Sequence, residues 1–109
     1  MHELGIAIEI AELASERAGD RRPTRVVVEV GQLTAVLPEA LAFAWQAATE
    51  GSALGGCELD IVAVAGRGRC RACASELDLV MPFGRCACGG TDLELVAGEE
   101  LRIRHMEVT

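Results

Sequence analysis

Across residues 3–18, "ELGIAIEIAELASERA", apolar positions recur at helical spacing. Ile6, Ile10 and Leu13 form one stripe with Ala7, Ala11 and Ala14 beside it, and Glu9, Glu12 and Glu16 make a polar face. Gly19 and Asp20 signal its end, and "DRRPT" reads as a loop. The period then drops toward two: residues 25–33, "RVVVEVGQL", are β-branched and roughly alternating, the mark of a strand. Pro38, which needs no amide partner in a first helical turn, opens a second helix with Glu39 behind it. Leu41, Ala44, Trp45 and Ala48 share one face of that helix, and Gly51 closes it. Residues 58–64, "ELDIVAV", set Leu59, Ile61 and Ala63 against polar or small neighbours, a second strand.

At Gly66 the texture changes. Residues 66–90, "GRGRCRACASELDLVMPFGRCACGG", hold four arginines and four cysteines but few large apolar residues. A short strand-like stretch runs from Glu76 to Met81. "TDLELVAG" and "EELRIRHMEV" follow as two strands about a turn at Gly98. The predicted order is helix, strand, helix, strand, cysteine module, strand, strand. Gly66 and Gly68, with Gly98, mark expected hinges into and out of the module.

With 109 residues, half of them hydrophobic, the chain is one domain or a small domain carrying a smaller module. A net charge of −7 and only three aromatic residues, Phe43, Trp45 and Phe83, argue against a nucleic-acid or anionic-membrane binder. No apolar run is long enough to cross a bilayer. The first ten residues lack the basic start of a signal peptide, so a cytoplasmic protein is expected. Thiols stay reduced there, and five cysteines then point to a metal more than to disulfides.

Cys70 and Cys73 form a CxxC, and Cys86 and Cys88 a CxC. Two close thiolate pairs match a structural zinc site, which also supplies the folding energy that so small a module lacks. Ala74 and Ser75, then Gly89 and Gly90, let the backbone curl and aim amides at the sulfurs. The CxC is the tight spot. In an extended strand its Cα atoms would lie about 6.7 Å apart, whereas sulfurs sharing one zinc lie about 3.8 Å apart; leaning side chains can cover that gap, so the pair is feasible but less relaxed. A redox CxxC should open a helix, but "ASELDLV" reads as a strand. Arg67, Arg69, Arg71 and Arg85 are either solvated surface, with charge to offset the thiolates, or a basic patch for an acidic partner. Cys57, in a glycine-rich turn, is expected to be a small buried residue.

His2 would be an ordinary terminal residue but for its position. The α-amine, the amide of residue 2 and its imidazole can close adjacent chelate rings on one metal, and the Glu3 amide could add a fourth nitrogen. Four coplanar nitrogens favour Ni(II) or Cu(II) over zinc. Glu3 could tune such a site by charge or favour the positive helix start.

"MHE", "VGQLTAVLPEALAFAW", "GCELDI", the cysteine module and "GEELRIRHMEV" occur in this order. Together, essentially end to end, they resemble the hydrogenase nickel-incorporation family HypA/HybF. The resemblance implies a nickel site at Met1, His2 and Glu3 and zinc ligands at Cys70, Cys73 and Cys88. It implies delivery of Ni(II) to the [NiFe] hydrogenase large subunit with a GTPase hydrogenase maturation factor, and in some organisms service to urease maturation proteins. Cys86 is the departure: the family's second pair is a CxxC containing proline, and one residue is missing here. That puts its place as fourth zinc ligand at issue.

The expected fold is α+β: two helices on a small mixed sheet of residues 25–33, 58–64 and 100–108, with an inserted zinc-ribbon-like module. Residues 1–65 and 99–109 would form the nickel-binding domain and 66–98 the zinc-binding domain. The expected function is binding and transfer of Ni(II), with Zn(II) structural, and no catalysis. His105 lies on the last strand without an obvious partner. Two rivals remain in view: a zinc-ribbon module that binds protein or nucleic acid, and a metal-dependent hydrolase. The hydrolase would need an open metal position, which four cysteines leave no room for.

Overall fold

The computed structural model describes residues 2–109; Met1 lies outside the described residues. The first helix, α1, is Glu3–Ala18, and the first strand, β1, is Pro23–Gly31. A single 3-10 turn at Gln32–Thr34 leads into α2, Pro38–Thr49, with Pro38 in its first turn as its sequence requires. β2 is Glu58–Val64, β3 Gly66–Cys70, β4 Glu76–Leu79, β5 Leu93–Ala97 and β6 Leu101–Val108. The strands make two three-stranded sheets, ordered β2-β1-β6 and β4-β3-β5. The first is mixed, with β1 parallel to β2 and antiparallel to β6; the second is antiparallel throughout.

Both helices lie on one face of the mixed sheet, α1 toward β6 and α2 toward β2. Val26, Val28 and Val30 of β1 and Ile103 of β6 meet Ala7, Ile10 and Ala14 of α1 and Leu41, Ala44 and Trp45 of α2. Fully burying a side chain such as Leu41 or Val28 stabilises the fold by roughly 1.5–3 kcal/mol. Leu13 does not join this cluster and is 45% exposed. The buried stripe of α1 is centred on the alanines, whose small side chains bring the helix close and turn Leu13 to its flank. Thr49, the one buried polar residue among those described, donates its hydroxyl to the Trp45 carbonyl at 2.8 Å. The Trp45 indole donates to the carbonyl of Cys57 at 2.9 Å, and Cys57 is buried as its setting predicts. His105 is exposed on β6, opposite Val27.

The expectation of hinges at Gly66 and Gly68 is corrected by the structure: both belong to β3, Gly66 paired with Leu79 of β4 and Gly68 with Leu77 of β4 and Leu95 of β5. Their role is close approach. A Cβ at Gly66 would overlap the Leu79 carbonyl and come within 2.8 Å of the Leu33 side chain. At Gly98 (φ 107°) it would stand 2.6 Å from the Gly66 backbone and 2.9 Å from Leu33. Around this joint the Leu33 amide donates to the Gly98 carbonyl at 2.8 Å and the Gly31 amide to the Glu100 carbonyl at 2.7 Å. The Gly66 amide donates to the Gln32 side chain at 3.3 Å. The two chain crossings between the sheets are therefore pinned in a molecule measuring 53 × 22 × 15 Å.

Candidate metal centres

The four paired cysteines converge. Cys70 ends β3, Cys73 sits in the following turn, and Cys86 and Cys88 lie in the loop before β5. All four sulfurs fall within 4.8 Å of one another, with Cys70–Cys88 and Cys73–Cys86 each at 3.6 Å. A tetrahedral zinc with bonds of about 2.3 Å separates its sulfurs by about 3.8 Å. Donor type, number and spacing all fit zinc.

The backbone explains how the shortened pair takes part. In the first knuckle the Ala74 amide donates to the Cys70 carbonyl at 2.8 Å, and the Cys70 amide donates to the Ser75 carbonyl at 2.9 Å. In the second, Gly89 donates to Cys86 at 2.8 Å and Cys86 to Gly90 at 2.8 Å. The pattern is the same, each loop one residue tighter. In both, the residue after the second cysteine turns left-handed: Ala74 at φ 65° and Gly89 at φ 92°. CxC is not extended here, so the wide Cα spacing of a strand does not apply. The missing residue is absorbed by a tighter turn, and Cys86 is buried facing its partners. The Gly90 amide reaches the Cys88 sulfur at 3.4 Å, as the small residues after each pair foretold.

The thiols differ in acidity. Hydrogen bonds from Ser75 lower Cys73 to about 6, helped by Cys86 and Cys88. The Gly90 amide pulls Cys88 down, but its three cysteine neighbours outweigh it and hold that thiol at about 11. Close thiols resist ionising together, and a cation removes that resistance.

Three of the four arginines are taken up within the module. Arg67 pairs with Asp78 at 2.7 Å and Glu76 at 3.3 Å, Arg69 with Glu76 at 3.5 Å and Glu94 at 3.8 Å, and Arg71 with Asp92 at 3.3 Å. These exposed pairs stabilise the sheet by at most about 1 kcal/mol each. Their acids cancel the basic patch, so of the two readings the solvated ladder holds.

At the other end of the chain, His2 is the exposed N-cap of α1 and spends no side-chain hydrogen bond on capping. Its carbonyl accepts from the Ile6 amide at 3.2 Å. The amides of a first helical turn have no acceptor four residues back, so metal coordination by the amides of His2 and Glu3 would break no helical bond. The Glu3 side chain is already engaged. Its carboxylate accepts the Leu37 amide at 3.2 Å, tying the start of α1 to the start of α2. That bond is the chief cause holding its carboxyl below the ordinary 4.5. Sequence reasoning missed this link, because no local pattern connects residues 34 positions apart.

A family model described as hydrogenase/urease nickel incorporation, metallochaperone, hypA matches residues 1–108. The hydrogenase maturation factor HypA of Trichodesmium erythraeum is 42% identical over 109 residues, covering 99% of this chain and 96% of that one. That of Geotalea uraniireducens is 40% identical, covering 99% of both. The solution structure of the Ni metallochaperone HypA from Helicobacter pylori shares the fold, with a TM-score of 0.67 at 24% identity over 99% of this chain and 97% of that one.

Proposed function

The chain belongs to the HypA family of hydrogenase and urease nickel-incorporation metallochaperones, and from that membership we propose how its own residues hold the metal and pass it on. The protein is a maturation factor that binds and delivers; it is not an enzyme. In our reading Ni(II), its cargo, is held at the amino terminus by the α-amine of Met1, the amide and imidazole of His2, and the amide of Glu3. The Glu3 carboxylate stays with Leu37 and steadies the helix start. The observation that carries this reading is the exposed, uncommitted His2 at a helix start whose first amides have no helical acceptor. An open terminal site exchanges metal readily, whereas a closed four-thiolate cage does not.

Cys70, Cys73, Cys86 and Cys88 are proposed as ligands of one zinc, whose chemistry is structural: it draws four thiolates together and folds residues 66–98. The nickel-binding domain would then comprise residues 1–65 and 99–109. Delivery is proposed to be to the [NiFe] hydrogenase large subunit in the cytoplasm, alongside a GTPase maturation factor, and in some organisms to urease maturation proteins. Among the described residues, no helix is long and apolar enough to cross a membrane.

The test is calorimetric titration of zinc-loaded, untagged protein with Ni(II). One equivalent should bind with high affinity. His2→Ala, or a single residue added before Met1, should abolish that binding and leave zinc content unchanged. Equally tight binding by protein with a blocked amino terminus would sink the amine as a ligand. For zinc, Cys86→Ser should lower retention as much as Cys73→Ser.

A further inference from the structure

β2 and β6 are the two free edges of the mixed sheet. Soluble proteins blunt such edges with charge, bulges or proline, because unpaired backbone groups recruit other strands. β6 is blunted twice. Arg102, Arg104, His105 and Glu107 stand exposed along it, and its pairing slips by one residue between Val27 and Val28. β2 has neither device over its second half. Its register against β1 runs unbroken from Glu58 to Val64, and its last four residues, Ile61, Val62, Ala63 and Val64, carry no charge.

A cleft of about 1000 Å³ opens between α2 and the first half of β2, where the uncharged edge begins, lined among others by Phe43, Gln46, Glu50, Glu58, Leu59 and Asp60. Phe43, from α2, is 77% exposed there. Leu59 and Ile61 are only partly covered by the helices. An open strand edge, an apolar shelf and an exposed aromatic together make the setting for strand addition.

We propose that an extended segment of a partner protein adds to β2 as a fourth strand. Its alternate apolar side chains seat on Leu59, Ile61 and Phe43, and its flanking lysines or arginines meet the acidic rim. Charge selects this occupant. The one cation lining the cleft among the described residues is Arg25, already shared by Asp60 at 3.1 Å, Glu58 at 3.4 Å and Glu107 at 4.0 Å. Residues 66–98 hold four arginines and four carboxylates, so the whole net charge of −7 rests on the rest of the chain. A second copy would bring the same acidic surface against this one, whereas a basic strand relieves it. The backbone supplies affinity and the alternating side chains supply specificity. The proposal stands independently of either metal site.

The experiment uses zinc-loaded, isotope-labelled full-length protein and two synthetic peptides. Both carry a Thr-Val-Thr-Val-Thr centre; one is flanked by arginines and the other by glutamates. The basic peptide should slow amide exchange in β2, shift the signals of the Phe43 ring, and bind about tenfold more tightly than its acidic twin at low salt. Phe43→Ala, at an exposed position that leaves the fold intact, should weaken it about tenfold. Ala63→Lys should weaken it as well. Perturbation confined to β6 or spread evenly over the acidic surface overturns the proposal, as does equal binding of the two peptides or no binding. A concentration-dependent dimer in sedimentation that protects β2 without peptide also overturns it, since the occupant is then a second copy.

Discussion

The α+β unit and the cysteine module each carry a three-stranded sheet, yet they are built from different materials. The first buries one continuous cluster that runs from Ala7 through the valines of β1 to Leu41, Trp45 and Ile103. Among the described residues of the second, the buried side chains are Leu79, Cys70 and Cys86. Its central strand faces inward with Gly66 and Gly68, which leave room for neighbours and add no apolar surface of their own. Apolar burial of this kind is too small to hold the ordered module by itself. Four thiols gathered within 4.8 Å can add what is missing, once a metal bridges them. The lesson is that secondary structure says little about what holds it: one sheet has a continuous core behind it, the other four convergent thiols in the place of one.

Chelation should separate the two units most visibly. Removing zinc should unfold β3, β4 and β5 while β1, β2 and β6 keep their protection, because a structural zinc is worth on the order of 10 kcal/mol to a small module. Hydrogen exchange read strand by strand decides this; equal loss in both sheets would mean one cooperative unit. Leu41→Ala is the converse probe. It should destabilise the α+β unit by roughly 2–5 kcal/mol and leave zinc stoichiometry at one per chain, measured by denaturant titration and metal analysis.

Two finer effects bear on the same contrast. Ala74 holds a left-handed conformation that costs a residue with a Cβ about 1 kcal/mol. Ala74→Gly should therefore slow loss of zinc to a competing chelator while the melting of the α+β unit stays where it was. The smallest effect belongs to Glu3. A carboxylate depressed by folding contributes its stability above the ordinary value of 4.5 and loses it as pH falls through the lower, folded value. Protection of the Leu37 amide, measured against its intrinsic exchange rate at each pH, should fall over that acid range in the native chain and be lost throughout in Glu3→Ala.

Much of this architecture was legible in the chain. The spans of α1 and β2 follow directly from periodicity, the start of α2 follows from Pro38, and the expected mixed sheet of three strands is the one found. β3 was not legible, because "GRGRC" has no apolar alternation to reveal it: its inner face is glycine, and its outer arginines find their acids only across the sheet. The convergence of Cys86 with the other three cysteines was expected from the two thiolate pairs, but the geometry that achieves it was not legible. Read as an extended strand, CxC reaches one metal only with leaning side chains; the tight turn closed by Gly89 brings the sulfurs together instead. Leu13 reads as core from spacing alone, but packing by the alanines moved the buried stripe. Patterns of period reveal surfaces that bury side chains; they are blind to surfaces that bury backbone.

The tie between Trp45 and the Cys57 carbonyl has an optical consequence. The chain has one tryptophan and no tyrosine, so nearly all of its ultraviolet emission originates at this indole, 3% exposed in the core beneath the sheet. Fluorescence is therefore a colour channel for the α+β unit alone. The cysteine module is dark in that channel and visible through the absorbance of thiolates on a coloured metal such as cobalt. Two lamps, one for each half of the molecule, let a single melt be watched as two.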